Sequence, residues 1–259
     1  VEVGSEAQRA FFDKIGFLKP LHTELMELGS PLYPQHWAKI NTMTIAFGHG
    51  MSVTPLHLIT GVSAMINGGI LYAPSFIRRG AGADSGKRVI QVSTSLQMRQ
   101  LMRLNAVEGT GKKGDVPGYE VGGKTGTAEK VGRGGGYAKK ALFSSFVAAF
   151  PMSDPKFIVL VSLDEPHGNA ETGGYATGGQ VSAPSVKAII QNIIALYGIL
   201  PGDWNSNPGQ LEIASMPVQT NTAAAKIVRV SSRGGRGVEH KALPAKPGQI
   251  PEAPHAEPE

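Results

Sequence analysis

Two apolar segments separated by a proline-rich turn constrain the fold of this chain more than any other feature of its sequence. The first, ALFSSFVAAF, covers residues 141–150, and the second, KFIVLVSLDEP, covers residues 156–166. The turn between them runs from Pro151 to Pro155. Apolar, partly β-branched segments of this length on either side of a short turn are typical of adjacent antiparallel strands, so we expect a β-hairpin.

Helical patterns surround this hairpin. Thr54-Pro55 is typical of an N-cap followed by proline at the first helical position, and apolar residues then recur at helical spacing. A second helix is predicted from about Ser93 to Gly109, and a third with Ser182 as its N-cap. EAQRAFFDKIGF, near the start of the sequence, is expected to be the middle or end of a further helix. The order of elements predicts an α/β or α+β fold with a sheet covered by helices.

The segment GYEVGGKTGTAEK, residues 118–130, supports two functional interpretations. Gly118, Gly123, Lys124 and Thr125 have the spacing of a phosphate-binding P-loop. Residues 124–127 also spell K-T-G-T, a motif with which serine acyl-enzymes hold a substrate carboxylate. The first interpretation requires a strand before Gly118 and a helix directly after Thr125, whereas the second requires a strand.

The flanking residues favour the strand. The preceding GKKGDVP is polar and turn-like, and glycines at positions 126, 132 and 134–136 disfavour a helix after Thr125. Tyr119 and Val121 alternate with Glu120 and Gly122, as in a short strand. One feature supports nucleotide binding: FIVLVSLDE resembles the apolar strand whose acidic end holds magnesium in P-loop proteins. Its simpler interpretation is a buried strand that ends at the surface.

Composition and charge restrict the function further. The formal net charge of +5 is too small to indicate nucleic-acid binding by itself. Without cysteine, the chain has no disulfide, thiolate nucleophile or cysteine-based zinc site. No apolar run reaches the ~18 residues of a membrane span. The histidines have no partner set at metal-ligand spacing, so we expect no metal and no cofactor.

Several segments, in the same order, resemble the transpeptidase domain of class B penicillin-binding proteins, most closely the division-specific (FtsI) type of alphaproteobacteria. They are NTMTIAFGHGMSVTPLHLITGVSAMINGGILYAPSFIRR, MRLNAVEGTGKKGDVPGYEVGGKTGTAEK, FSSFVAAFPMSDPKFIVLVSLDEP and GGYATGGQVSAPSVKAIIQNIIALYGI. The resemblance covers residues 1–200 and implies a penicillin-binding transpeptidase or β-lactamase-like fold, an antiparallel sheet covered by helices, incomplete at its N-terminal side. It also implies acyl transfer from D-alanyl-D-alanine stem peptides through a serine ester.

The resemblance implies a substrate-binding role for each residue of the K-T-G-T motif. Lys124 would place its positive charge beside the substrate carboxylate, and the hydroxyls of Thr125 and Thr127 would hydrogen-bond that carboxylate or the peptide. Gly126 would leave the strand surface clear for a ligand. The N–H of Thr127 would form half of an oxyanion hole.

Catalytic residues are not expected in this chain. The family also uses an S-x-x-K motif, which supplies nucleophile and base, and an S-x-N motif. The sequence has no S-x-N, and its one S-x-x-K, Ser153 to Lys156, lies in the predicted turn of the hairpin, downstream of Lys124. We therefore expect the C-terminal part of a transpeptidase that is inactive alone.

The expected partners are stem peptides, β-lactams and other division proteins, at the periplasmic face of the cytoplasmic membrane, with no anchor or signal in this chain and no nucleic acid. Residues 1–200 are assigned to the transpeptidase domain, 201–219 to an extension and 220–259 to a disordered tail rich in Pro, Gly and Ala. Two alternatives stay open: a non-catalytic module that binds stem peptide or a division partner, and a D-alanyl carboxypeptidase or β-lactamase-type fragment.

Overall fold

The computed structural model describes residues 3–78, 86–131 and 137–201, with only the main chain at residues 131 and 137–140. The predicted extension and tail lie outside the described residues from position 202 onward. The helices are α1 (Ser5–Lys14), α2 (Lys39–Ala46), α3 (Pro55–Ile66), α4 (Val92–Val107) and α5 (Gly178–Tyr197), with a short 3-10 helix at Lys112–Gly114. The strands are β1 (Ile70–Leu71), β2 (Lys87–Arg88), β3 (Gly122–Val131), β4 (Tyr137–Phe150) and β5 (Phe157–Asp164).

The larger sheet has three antiparallel strands in the order β3-β4-β5. Strand β4 is central, with Phe146 opposite Thr125 of β3 and opposite Val161 of β5. Phe150 pairs with Phe157 at the turn, so the predicted β-hairpin is confirmed. The antiparallel sheet with helical cover agrees with the fold class expected from the sequence.

Helices cover both faces of this sheet. On one face, Val186 and Ile190 of α5 are fully buried against Phe146 and Phe150 of β4. On the opposite face, Ile66 of α3 and Met102 of α4 join a smaller cluster, together with Ala149 and Met152. Since burial of apolar area stabilises the fold in proportion to that area, these two layers hold the strands in place.

The start of α3 shows how the local sequence sets a helix boundary. The Thr54 hydroxyl accepts a hydrogen bond from the backbone N–H of His57, and Pro55 occupies the first turn, so the predicted cap is confirmed. The buried His57 ring lies 2.7 Å from the same hydroxyl through Nδ1 and 2.9 Å from the Lys19 carbonyl through Nε2. His57 is therefore a structural residue that fastens the loop after α1 to α3.

Two predicted boundaries are wrong. Helix α5 begins at Gly178 with Thr177 as its N-cap, whereas the sequence indicated Ser182. Ser182 is instead buried within the helix and donates to the Ser144 carbonyl at 3.0 Å. Strand β3 begins at Gly122, three residues later than the alternation at Tyr119 suggested.

Helix α2 was not predicted. Its exposed side carries apolar residues such as Ile40 and Met43, which obscure the one-sided pattern of a surface helix. None of the helices in the described ranges is both long enough and apolar enough to cross a lipid bilayer.

Candidate functional site

All four residues of the K-T-G-T motif lie in strand β3, which forms one edge of the sheet as far as the chain is described. The ladder with β4 runs without a shift from Gly122 to Glu129. Because the segment after Lys124 and Thr125 is extended, the P-loop alternative is wrong: a P-loop requires a helix at this point.

Alternate residues of β3 face opposite sides of the sheet. Lys124 and Gly126 share a face with Val147 and Ser145, their partners on β4. Thr125 and Thr127 face α5: a Cβ placed on Gly179 would lie 3.4 Å from Thr125 Cγ2. The lysine and the two hydroxyls therefore approach a ligand at the strand edge from different sides.

Three carbonyl groups, one in the residue before β3 and two within β3, point away from β4. Arg103 donates to the Val121 carbonyl and Asn105 to the Gly123 carbonyl, each at 2.7 Å. The Lys124 ammonium donates to the Thr125 carbonyl at 2.8 Å. In an antiparallel ladder every second residue turns its N–H and C=O outward, so the N–H of Thr127 is directed towards the same edge.

The hydroxyl of Thr125 lies in a small polar cluster beside the end of α4. It is 2.9 Å from the Thr110 hydroxyl and 3.4 Å from the Lys124 ammonium. The Thr110 hydroxyl is in turn 3.2 Å from Asn105 Oδ1. Sequence analysis did not identify Asn105 or Thr110, although glycines on both sides of Thr110 indicated a backbone in close contact with its surroundings.

The first turn of α5 is held against the motif. Thr127 Oγ1 accepts a hydrogen bond from the Gly178 N–H at 3.1 Å. A Cβ on Gly178 would lie 2.2 Å from the Ser145 carbonyl oxygen and 2.6 Å from that of Gly126, and one on Gly179 would lie 2.4 Å from that of Thr110. Glycine is therefore required at these two positions, where the first turn of α5 lies directly against the main chain.

Two grooves lie on the face of the sheet that carries Lys124. One, of about 580 Å³, is enclosed mainly by apolar side chains of α3 and α4; its lining includes Leu58, Val62, Met65, Met98, Leu101 and Met102. The other, of about 620 Å³, adjoins Thr127 and is lined by aromatic residues, including Phe47 and Phe143. Ser145 lines both grooves, and its hydroxyl would lie 2.6 Å from a Cβ at position 126. Gly126 therefore keeps the floor between the two grooves open.

The two acidic residues at the end of β5 pair with a lysine outside the motif. Asp164 and Glu165, at the end of β5, pair with Lys130 at 2.9 and 2.7 Å. Hydrogen bonds that the Lys130 ammonium donates, first to Glu165 and then to Asp164, raise the pKa of Lys130 above its ordinary value. These carboxylates thus end a strand at the surface, as the simpler interpretation of FIVLVSLDE predicted, and within the described ranges no three potential ligands are grouped as a metal site requires.

The predicted S-x-x-K segment lies in the turn between β4 and β5, at the opposite end of the sheet from Thr127. The Ser153 N–H donates to the Glu120 carboxylate at 3.0 Å, and the Ser153 carbonyl accepts from the Arg99 guanidinium at 3.0 Å. Its hydroxyl is buried without a hydrogen-bond partner. Burial lowers the pKa of the Arg99 guanidinium, which crosses from α4 to this turn.

Comparisons with known proteins agree on one family. The model of the family described as "Penicillin binding protein transpeptidase domain" matches residues 2–191. The probable peptidoglycan D,D-transpeptidase FtsI of Caulobacter vibrioides is 38% identical over 209 residues, which cover 76% of this chain and 35% of that protein. Stage V sporulation protein D of Bacillus subtilis is 34% identical over 212 residues, covering 77% of this chain and 32% of that protein.

Solved structures show the same similarity. The transpeptidase domain of penicillin-binding protein 3 from Burkholderia pseudomallei, solved without ligand, superposes with a TM-score of 0.68 at 32% identity. The match covers 76% of this chain and 59% of that structure. The chain spans about a third of the length of the curated relatives above.

Proposed function

The chain belongs to the transpeptidase family of penicillin-binding proteins, and on that premise we propose that the edge of β3 from Lys124 to Thr127 binds the carboxylate end of peptidoglycan stem peptides and of the β-lactams that mimic it. Lys124, Thr125, Gly126 and Thr127 are the substrate-binding residues of this proposal. The ligand ends in D-alanyl-D-alanine, as the family relationship suggests.

The main support for this proposal is the set of hydrogen-bond partners of the Lys124 side chain. Among the described residues it pairs with no carboxylate, and its ammonium donates only to the carbonyl and hydroxyl of Thr125. Lys130, six residues along the same strand, is instead neutralised by Asp164 and Glu165. An exposed positive charge beside outward-facing backbone groups at a strand edge is suited to an anionic peptide end.

The other polar groups at the edge of β3 provide hydrogen-bond donors that orient the ligand. A carboxylate only accepts hydrogen bonds, and the two threonine hydroxyls can each donate one. Thr127 already accepts from Gly178, which leaves its own hydroxyl proton for the ligand. The outward N–H of Thr127 is suited to a carbonyl oxygen that gains negative charge during acyl transfer. With glycine at 126, the peptide can lie along the strand.

We further propose that this chain binds its ligand without forming an acyl-enzyme. Ser153 adjoins Glu120 through a hydrogen bond, and β3 runs from Gly122 to Thr127 over about 17 Å at ~3.4 Å per residue. A hydroxyl at that distance cannot attack a carbonyl held at Thr127, since reaction requires an approach of roughly 3 Å. The nucleophile of the complete reaction is therefore not Ser153.

The wider role follows from the same proposal. The complete protein is a peptidoglycan D,D-transpeptidase of septal wall synthesis, active at the periplasmic face of the cytoplasmic membrane with other division proteins. The relatives named FtsI support the division role, and the sporulation protein of Bacillus subtilis represents the neighbouring role within the family. Residues 124–127 would serve the same binding step in either.

Two measurements on the full chain test this function. Incubation with a fluorescent penicillin followed by denaturing electrophoresis is expected to give no covalent band. Titration of the ¹⁵N-labelled chain with N-acetyl-D-alanyl-D-alanine, followed by NMR, is expected to shift the amides of residues 124–127. Lys124→Ala removes a charged hydrogen-bond donor, generally worth ~1.5–3 kcal/mol, and should weaken binding by about tenfold to a hundredfold.

The matched control is Lys130→Ala, which removes the same charge from the same strand but from an ammonium that already has acidic partners. It should leave the dissociation constant within about twofold. Equal losses in both variants would mean that overall charge, and not a site at Lys124, attracts the peptide. A covalent penicillin adduct on the chain would overturn the proposal that it lacks a nucleophile.

A further inference from the structure

The loop Gly109–Thr110–Gly111 follows α4 and lies beside the K-T-G-T strand in a fixed geometry. The N–H groups of Gly109 and Gly111 both donate to the Asn105 carbonyl, at 3.0 and 3.1 Å. A Cβ on Gly109 would lie 2.4 Å from Asn105 Oδ1, and one on Gly111 would lie 3.0 Å from Nδ2. The loop therefore closes tightly around the Asn105 side chain, and Thr110 has little freedom to move away from it.

The hydrogen-bond partners fix the orientation of the Asn105 amide. Its Nδ2 faces the Gly123 carbonyl at 2.7 Å, which can only accept. Its Oδ1 consequently faces the Thr110 hydroxyl at 3.2 Å and can only accept from it. When Thr110 donates its single proton to Asn105, the Thr125 hydroxyl, 2.9 Å away, must donate to Thr110.

This arrangement leaves Thr125 without a proton for a ligand. A carboxylate at the β3 edge has no proton to give, so Thr125 must donate to it. The Thr125 proton becomes available only if Thr110 turns its own proton from Asn105 Oδ1 to Thr125 Oγ1. The result is an aligned series of bonds, from Thr110 to Thr125 to the carboxylate, in which each bond polarises the next.

We propose that Thr110 is a positioning residue for the ligand carboxylate, which acts through Thr125 by reversing the direction of its hydroxyl bond. The proposal rests on the carboxylate site described under the proposed function and adds a residue outside the K-T-G-T motif to it. Asn105 sets the direction without ligand, and Thr110 reverses it with ligand. No bond other than hydrogen bonds changes, and no proton leaves its oxygen.

The variants Thr110→Val and Thr110→Ser test the proposal in the full chain. Valine keeps the shape of threonine and removes the hydroxyl, whereas serine keeps the hydroxyl. The probes are N-acetyl-D-alanyl-D-alanine and its C-terminal amide, each titrated by NMR into the ¹⁵N-labelled protein. The amide can itself donate to a Thr125 oxygen, so its binding does not require the reversal.

Thr110→Val is expected to weaken binding of the carboxylate probe by about threefold to tenfold and to leave the dissociation constant of the amide probe within about twofold. Thr110→Ser is expected to bind both probes like the unchanged chain. Equal weakening for both probes would mean that Thr110 only shapes the site. An unchanged affinity for the carboxylate probe would mean that Thr110 has no role in binding. Either result overturns this inference and leaves the proposed function standing. If the unchanged chain shows no preference for the carboxylate probe, the proposed function fails first and the inference fails with it. The ¹H–¹⁵N spectrum of each variant shows whether it folds, and Thr110→Ala, which also lacks the hydroxyl, takes the place of the valine variant if that variant does not fold.

Discussion

Replacement of Phe146 by alanine should strongly destabilise the fold. The ring is fully buried between the sheet and α5. It is enclosed by main chain on several sides: a Cβ at Gly114 or Gly123 would lie 2.5 Å from a ring atom, and one at Gly111 would lie 3.2 Å away. Phe146 thus occupies space that these glycines leave open.

The magnitude follows from this enclosure. Full burial of a phenylalanine side chain stabilises the native state by roughly 1.5–3 kcal/mol, and truncation adds the cost of the cavity. The surrounding main chain belongs to the β3–β4 ladder and to the loop bonded to Asn105, so it cannot collapse into the space. We therefore expect a loss near the upper end of the range for phenylalanine truncations, about 4–5 kcal/mol, a large share of a typical domain stability of ~5–15 kcal/mol.

Phe143→Ala is the matched control, because it changes the same residue type three positions earlier on the same strand. Phe143 is 41% exposed and lines the groove beside Thr127. Its truncation removes part of a contact and creates no enclosed cavity, so the expected loss is about 1 kcal/mol. Urea denaturation of the full chain, followed by far-ultraviolet circular dichroism, measures both changes in the free energy of unfolding.

The losses in the free energy of unfolding should differ clearly between Phe146→Ala and Phe143→Ala. A difference below about 1 kcal/mol, or a Phe146→Ala variant that loses less than about 2 kcal/mol, would show that the main chain around the ring does relax. The position of Phe146 opposite Thr125 provides a second measurement. The Phe146→Ala variant should also bind N-acetyl-D-alanyl-D-alanine more weakly.

Two further predictions concern stability away from the groove. Lys130→Met removes the group whose pKa is raised by its hydrogen bonds to Glu165 and Asp164. Since a raised pKa stabilises the folded state below the ordinary value of 10.5 and loses that effect as the pH rises through the folded-state pKa, the melting temperatures of the two proteins at low salt should differ at neutral pH and converge once the pH exceeds the folded-state pKa. A difference that persists at high pH would argue against the ion pairs as its cause. Thr54→Val removes the N-cap of α3 and one partner of His57, so it should cost about 1–2 kcal/mol by urea denaturation, whereas Thr54→Ser should cost less than half of that; a neutral valine variant would contradict the capping role.

Local patterns in the sequence were sufficient for much of the fold. The hairpin of β4 and β5 was evident because its strands are apolar and its turn is bounded by prolines, and the cap of α3 because threonine and proline occupy their preferred positions. The extended conformation of Lys124–Thr127 followed from the glycines that exclude a helix. In each case the residues that form the pattern lie within about ten positions of the structure that they predict.

The site depended on contacts that no local pattern encodes. The pair Gly178-Gly179 forms the first turn of α5, where the main chain of β3, β4 and the Thr110 loop lies too close for any side chain, and no pattern within these residues indicates that contact. Asn105 has no distinctive spacing to Lys124, and its role depends on the approach of α4 to the edge of β3.

The approach of α4 to the start of β3 has a consequence for which part of a polypeptide can bind. Arg103 and Asn105 already occupy the outward carbonyls of Val121 and Gly123, and the Lys124 ammonium occupies that of Thr125. A peptide bound at this edge as proposed would lack the free carbonyl groups that a continuous strand ladder needs there. We therefore expect the edge to take the end of a polypeptide more readily than an internal stretch of chain.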